Sequence, residues 1–242
     1  MVIAFCNQKG GTSKTTSAAA FASALCSSGK KILCIDAAPQ CNFTHLLATN
    51  EAPPGIIELL QGATVEKVIR NTPEADVIAG SERMAALLDI PPQTLAERIA
   101  PIKRRYKHII IDTDCSLTTP LLLALFAADV VLIPVIADAG SLMGIQALKR
   151  TIDAARAAGA KVKIGGAFIT QSNTRRTNAE KVLEDAMRQR CEALGISLYR
   201  QRIRRADAVR AAAALGESII TYDPKSNPAK DYMALLEEMN LL

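Results

Sequence analysis

The 242-residue chain is 49% hydrophobic and 22% charged, a balance that supports one large buried α/β core. Aromatic residues make up 4% and Trp is absent, which argues against a stacking platform for single-stranded nucleic acid. The net charge of +5 permits a polyanionic partner without demanding one.

No apolar run reaches the roughly 18 residues needed to cross a bilayer. Gln8-Lys9-Gly10-Gly11 cuts off the apolar start too early for a signal peptide. The six cysteines are scattered without a C-x-x-C pair. They read as reduced small hydrophobes in a cytoplasmic protein that has no structural metal.

Along the chain, Val2–Cys6 is a short apolar run, followed by glycine punctuation and the Ala-rich helical stretch Lys14–Ser27. Lys31–Ile35, Asp76–Ala79, His108–Ile111, Asp129–Val135 and Val162–Thr170 are further buried-strand candidates. Helical patterns fall at Ser81–Leu88, Gln93–Lys103, Thr119–Ala127, Ser141–Ala158, Asn178–Leu194 and Pro228–Met239. This alternation predicts right-handed βαβ units in a doubly wound, mostly parallel α/β sheet. With no repeat, low-complexity tract or long linker, residues 1–242 are expected to form a single domain.

The most informative segment is Lys9-Gly10-Gly11-Thr12-Ser13-Lys14-Thr15-Thr16, between the first strand and the first helix. Consecutive glycines let the backbone turn its N–H groups toward a ligand, and the positive end of the next helix favours phosphate. Lys14 is placed to reach the β- and γ-phosphates, and the Thr15 hydroxyl to complete a Mg²⁺ shell. A bare Gly-Gly would read as a capped turn; Lys-Thr-Thr opening the helix turns the reading to nucleotide. Ser13 stands where the general P-loop pattern has Gly, so contact through its N–H requires backbone angles that tolerate a β-carbon.

Asp36 and Asp112 each end a strand candidate at the carboxyl edge, where ligands of open α/β sheets bind. Asp112 there is suited to hold the Mg²⁺ shell, usually through water. The two histidines, His45 and His108, lie in apolar stretches and read as packed rather than catalytic.

Lys9-Gly-Gly-x-x-Lys14-Thr15-Thr16 resembles the deviant Walker A motif of the ParA/MinD family of ATPases, whose early lysine is its signature. Asp36-Ala37-Ala38-Pro39-Gln40-Cys41-Asn42 resembles that family's D-x-D-P-Q-x-N segment, and Tyr106–Asp112 with Thr113 and Ser116 its Walker B strand and loop. Ala128–Val135 and Tyr222–Ser226 match later family segments, so the likeness spans almost the whole chain.

The resemblance implies a P-loop ATPase that binds ATP with Mg²⁺, holds ADP after hydrolysis, and forms a nucleotide sandwich homodimer. Residues Lys9 to Thr16 would bind nucleotide, with Lys14 serving its own ATP and Lys9 reaching across to the partner's. Thr15 and Asp112 would hold the metal, and Lys9, Lys14 and Asp36 would belong to the catalytic set. Ala38 stands where the family places the aspartate associated with the attacking water. Alanine neither accepts a proton nor orients a water, so hydrolysis is expected to be impaired and the ATP dimer trapped. Ser13 and Asp114, where related proteins often have Gly and Pro, are further departures.

From Arg175 to Arg210 there are ten Lys/Arg against five Asp/Glu. Arg200, Arg202, Arg204 and Arg210 are the candidate DNA-binding residues, doubled by dimerisation into a patch that contacts phosphates without reading bases. The same stretch also reads as a solvated face, and Ile203-x-Arg205 resembles the family's adenine-side loop, which would give Arg205 to the nucleotide. With no DNA-reading segment ahead of the first strand, the chain resembles the short ParA form. That form implies non-specific double-stranded DNA, a ParB-like adaptor, and a cytoplasmic, nucleoid-associated partition role. A MinD-like membrane-associated ATPase is the alternative, disfavoured by the acidic pair Glu237-Glu238 in the last helical pattern. A metallocluster carrier on the same scaffold would need a companion for Cys115.

Overall fold

Each apolar run becomes a strand in the computed structural model, which describes residues 1–242 apart from Ala48 and Leu88. The strands are β1 (Val2–Phe5), β2 (Ile32–Asp36), β3 (Ile69–Asn71), β4 (Asp76–Ile78), β5 (His108–Asp112), β6 (Val130–Val135) and β7 (Lys163–Ile169). They form one sheet in the order β3-β4-β2-β5-β1-β6-β7, parallel except for β3 against β4. This is the doubly wound sheet of the P-loop NTPase type.

The helices are α1 (Lys14–Ser27), α2 (Asn42–His45), α3 (Ile56–Leu60), α4 (Val65–Val68), α5 (Thr94–Ile99) and α6 (Thr119–Ala127). They continue with α7 (Ala139–Ala157), α8 (Asn178–Ala193), α9 (Asp207–Ala214), α10 (Ile219–Tyr222) and α11 (Asn227–Glu238). Alternate strand residues feed two cores. Val2, Ala4, Leu33, Ile35, Ile109 and Ile111 pack on one face with α3 and α5 to α8. Ile3, Phe5, Ile32, Cys34 and Ile110 pack on the other with α1 and α11. Both faces are covered, which is why these strands read as continuous apolar runs.

The small residues of α1 let it lie close to the sheet, and Phe21 anchors it. Its ring meets Phe5 edge-on at 5.0 Å, with Phe168 and Tyr232 each at 6.3 Å. Fully burying one such ring stabilises the fold by about 1.5–3 kcal/mol. The Tyr232 hydroxyl, buried beside it, is 2.9 Å from Ser17 Oγ, so α11 is tied to the nucleotide-side helix.

Two helical expectations change form. Ser81–Leu88 yields only a 3₁₀ turn at Glu82–Ala86, with Leu88 outside the described residues. Its one buried side chain is Met84, too little apolar contact to pin a longer helix. The Gln93–Lys103 pattern stops at Ile99, because Pro101 cannot donate to the next turn, and resumes as a 3₁₀ turn at Lys103–Arg105. His108 is buried as expected, whereas His45 is exposed and lies 3.2 Å from Glu51.

Candidate nucleotide site

Strand register assembles the site. Phe5, the last residue of β1, lies opposite Asp112 on β5, and Asp112 lies opposite Asp36 on β2. The P-loop, residues 113–118 and residues 37–41 therefore leave the sheet side by side at its carboxyl edge. They enclose a cavity of about 380 Å³ lined by residues 10–16, Ala38, Gln40, Asn42, residues 113–115 and Gln171.

The P-loop is shaped by two left-handed turns and braced from the end of β7. Gly11 and Ser13 both adopt left-handed backbone, at φ 73° and 66°. For Ser13 that conformation costs roughly 1–2 kcal/mol, the penalty glycine would avoid. Gln171 braces both turns: its Nε2 donates to the Gly11 carbonyl at 2.6 Å and to Ser13 Oγ at 3.1 Å. Thr170 Oγ1 donates to the Thr12 carbonyl at 3.2 Å. Sequence reasoning misses Gln171, although its place just past the end of β7 fits the carboxyl-edge rule.

Lys14 is only 8% exposed, with Nζ 3.3 Å from the Lys9 carbonyl. Thr15 Oγ1 donates to Asp112 Oδ2 at 2.7 Å, while the buried Asp112 Oδ1 has no hydrogen-bond partner among the described residues. Burial, and then the neighbouring Asp36 carboxylate, pushes Asp112 up to about 8, against the Thr15 hydroxyl and the Lys14 charge. A hydroxyl beside a carboxylate oxygen with no partner is a hard-oxygen donor set that fits Mg²⁺.

Asp36 is placed differently from the catalytic group expected. It is fully buried, and its Oδ2 accepts from Thr44 N and Thr44 Oγ1, both at 2.8 Å. Oδ1 accepts from Ala38 N at 3.1 Å, so both oxygens staple the loop that carries Ala38. A β-carbon on Gly80 would come within 2.9 Å of the same carboxyl carbon, so only glycine fits there. Asp36 positions the cavity wall and does not line the cavity.

Lys9 also turns away from its own phosphate cavity. Its ammonium pairs with the Asp138 carboxylate and lies 3.3 Å from Ser141 Oγ, at the start of α7. Asp138 caps that helix by accepting from Ser141 N at 2.7 Å.

A second cavity of about 300 Å³ adjoins the first, sharing Ser13, Thr16 and Gln171. Ile203, Ala206, Val209 and Ala213 give it an apolar wall, and Arg204, Arg205 and Arg210 also line it. The candidate DNA-binding arginines therefore separate. Arg204 is held by the buried Asp231 through Nε at 2.8 Å and a second guanidinium nitrogen at 2.7 Å. Arg202 is 3.3 Å from Glu184 Oε1 and also contacts Ser172 Oγ. Arg200 and Arg205 are exposed, and Arg210, also exposed, pairs with Asp207.

Fold and site together define a P-loop nucleotide-binding protein. A sequence-family model described as an AAA domain matches residues 1–164. Over 239 residues the chain is 30% identical to the chromosome-partitioning ATPase Soj of Thermus thermophilus, covering 98% of this chain and 94% of that one. An ATP complex of an aspartate-to-alanine variant of Cyanothece McdA has a TM-score of 0.88 at 19% identity, covering 100% of this chain and 96% of the other. The cell division ATPase MinD of Pyrococcus furiosus has a TM-score of 0.80 at 23% identity, covering 99% and 98%. The chain belongs to the ParA/MinD family of P-loop ATPases.

Proposed function

We propose that the chain is a ParA-type partition ATPase. ATP and Mg²⁺ bring two copies together around two nucleotides, the dimer binds DNA without sequence preference, and a ParB-like adaptor triggers release. The observation that carries this reading is the pair of adjoining cavities, one polar and set under the P-loop, the other walled by Ile203, Val209 and Ala213. Together they suit a triphosphate next to a flat base. The similarity to a chromosome-partitioning ATPase over 98% of this chain supports the cargo class.

Thr15 and Asp112 would hold Mg²⁺, which supplies charge neutralisation at the β- and γ-phosphates. Lys14 and the N–H groups of residues 10–16 grip the chain's own nucleotide. Ala38 gives the cavity wall no carboxylate at its position, and turnover is correspondingly slow. A structural neighbour captured with ATP as an aspartate-to-alanine variant is in keeping with that reading.

Lys9 is the trans contact, and Asp138 competes for it. Lys9→Ala should weaken the ATP dimer while sparing much ATP binding. Asp138→Asn keeps the helix cap but releases the lysine. Both side chains of that pair are partly exposed, so the gain is small, about threefold in dimer affinity. Sedimentation of the variants with ATP and Mg²⁺ measures both effects, and an unweakened Lys9→Ala dimer counts against the trans contact.

DNA binding should depend most on the exposed cations. Replacing Arg200 by Ala should lower the slope of log affinity against log salt by about 0.9 for each phosphate that is no longer neutralised. Replacing Arg204 should first cost stability, since it leaves the buried Asp231 carboxylate without its partner, and replacing Arg202 should cost less, since Glu184 keeps its ion pair with Arg176. Filter binding of a random duplex across a salt series, beside thermal melts, separates these classes. An unaltered slope for Arg200 would move the footprint elsewhere.

No helix among the described residues is long and apolar enough to cross a membrane. The MinD-like alternative calls for a helix face free to lie on lipid, whereas α11 buries Tyr232, Leu235 and Leu236. Size-exclusion light scattering with ATP, Mg²⁺ and a random-sequence duplex tests the proposal. An ATP-dependent dimer that carries DNA supports it; a monomer indifferent to both refutes it.

A further inference from the structure

The position that Ala38 occupies has a lateral counterpart one strand away. Asp36 and Asp112 are register partners on β2 and β5, and the Ala37 N–H continues that ladder to the Asp112 carbonyl at 3.0 Å. Two residues beyond each partner lie Ala38 and Asp114, and both line the phosphate cavity. Residues 38 and 114 therefore leave the sheet from neighbouring strands, residue 114 on the side toward β1 and the P-loop.

Three observations bear on what Asp114 does there. Among the described residues it is the only carboxylate lining the cavity, because Asp36 is engaged with Thr44 and Ala38, and Asp112 lies behind Thr15. The residue next to Asp114 lies against the phosphate loop: a β-carbon on Gly10 would come 3.9 Å from Sγ of Cys115. The Asp114 carboxyl is half-buried and accepts from the Cys115 N–H and the Ser116 hydroxyl of its own turn. The other polar side chains of the wall are less suited. Asn42 Nδ2 donates to Gln40 Oε1 at 3.3 Å, and the Thr113 hydroxyl donates to the Phe5 carbonyl at 2.8 Å.

We propose that Asp114 is a catalytic residue of this chain, the carboxylate that orients the attacking water in the cavity where Ala38 supplies none. The inference rests on the ATPase reading above and adds to it the residue through which slow turnover passes. The water oxygen forms a bond to the γ-phosphorus as the bond from phosphorus to the β–γ bridging oxygen breaks. The electron pair of that bond stays on ADP. Asp114 accepts a hydrogen bond from one O–H of the water and fixes its approach. The other proton passes to a γ-phosphate oxygen, so dihydrogen phosphate leaves with both hydrogens and Asp114 ends as it began.

The test is single-turnover ATP hydrolysis with Mg²⁺ by four chains: the unsubstituted protein, Asp114→Asn, Ala38→Asp, and the double variant. ATP affinity is measured on each by titration with a fluorescent ATP analogue. Asp114→Asn should bind ATP within about twofold of the unsubstituted chain yet hydrolyse it at least tenfold more slowly, the lower range for loss of a positioned acid–base group. Ala38→Asp should raise the rate, and in that background Asp114→Asn should cost less than threefold, because the water then has a second holder. An unchanged rate for Asp114→Asn with ATP still bound overturns the proposal and leaves the ATPase reading standing. So does lost ATP affinity, which would make Asp114 a binding residue, and so does an unsubstituted chain with no turnover above the uncatalysed rate. Failure of the unsubstituted chain to bind ATP overturns both.

Discussion

Replacing Lys14 by Ala is expected to lower ATP affinity by a hundredfold or more without destabilising the nucleotide-free protein. The residue is 8% exposed, its ammonium has a single 3.3 Å bond to the Lys9 carbonyl, and no carboxylate among the described residues lies within ion-pair distance. Its desolvation is therefore already met in the empty fold. A phosphate entering the cavity gains a charge-assisted bond to a cation that has little hydration left to lose, which is preorganisation in its simplest form. Removing such a bond costs about 3–4 kcal/mol of affinity, a loss of roughly 150- to 900-fold. An unpaired buried charge stabilises nothing by itself, so the apo melting temperature should hold or rise. Nucleotide titration and thermal melts with and without ATP check both halves: the variant should lose the ATP-induced shift. Unchanged ATP affinity would remove Lys14 from the site.

How far the sequence foretold this arrangement differs from residue to residue. The β1–P-loop–α1 unit was legible to within one residue, because an apolar run, two glycines and Lys-Thr-Thr before an Ala-rich stretch are all local signals. The edge strand β3 was not. Ile69-Arg70-Asn71 offers one apolar side chain, and it becomes a strand only by pairing with β4, a pairing that local pattern does not encode.

The arginine run shows the same limit from the side of charge. Arg202 and Arg204 look identical to Arg200 in sequence. Their partners, Glu184 and Asp231, lie 18 and 27 residues away on other helices. α9 was hidden in the same stretch, where charge masked a short Ala-rich helix whose Val209 and Ala213 line the second cavity. Asp36 was legible as a strand-end acid, but which way its carboxyl faces depends on Thr44 and on the close approach of Gly80.

Asp112→Asn should reverse the usual sign for loss of a buried acid. In the nucleotide-free fold, burial and the Asp36 carboxylate move the Asp112 carboxyl from 3.8 up to about 8. Between those values the unfolded chain has released a proton that the folded chain keeps. Each unit of rising pH therefore opposes folding more strongly. The favourable contribution is complete below pH 3.8 and is lost as pH rises toward about 8. Asparagine has the same shape, can still accept from the Thr15 hydroxyl, and carries no proton to lose. At pH 7.5 the apo variant should be more stable than the unsubstituted chain by on the order of 3 kcal/mol, roughly 5–10 °C in melting temperature. With Mg²⁺ and ATP the order should invert, because the cation replaces the proton in the unsubstituted chain and finds no carboxylate in the variant. Mg²⁺ should accordingly bind the unsubstituted chain more tightly as pH climbs toward 8, releasing one proton, and the variant should show no such slope. Melts at pH 6, 7 and 8, with and without Mg²⁺–ATP, read all of this in one series. A less stable apo variant, or a Mg²⁺ response equal to that of the unsubstituted chain, would mean that Asp112 neither stores the proton nor holds the metal.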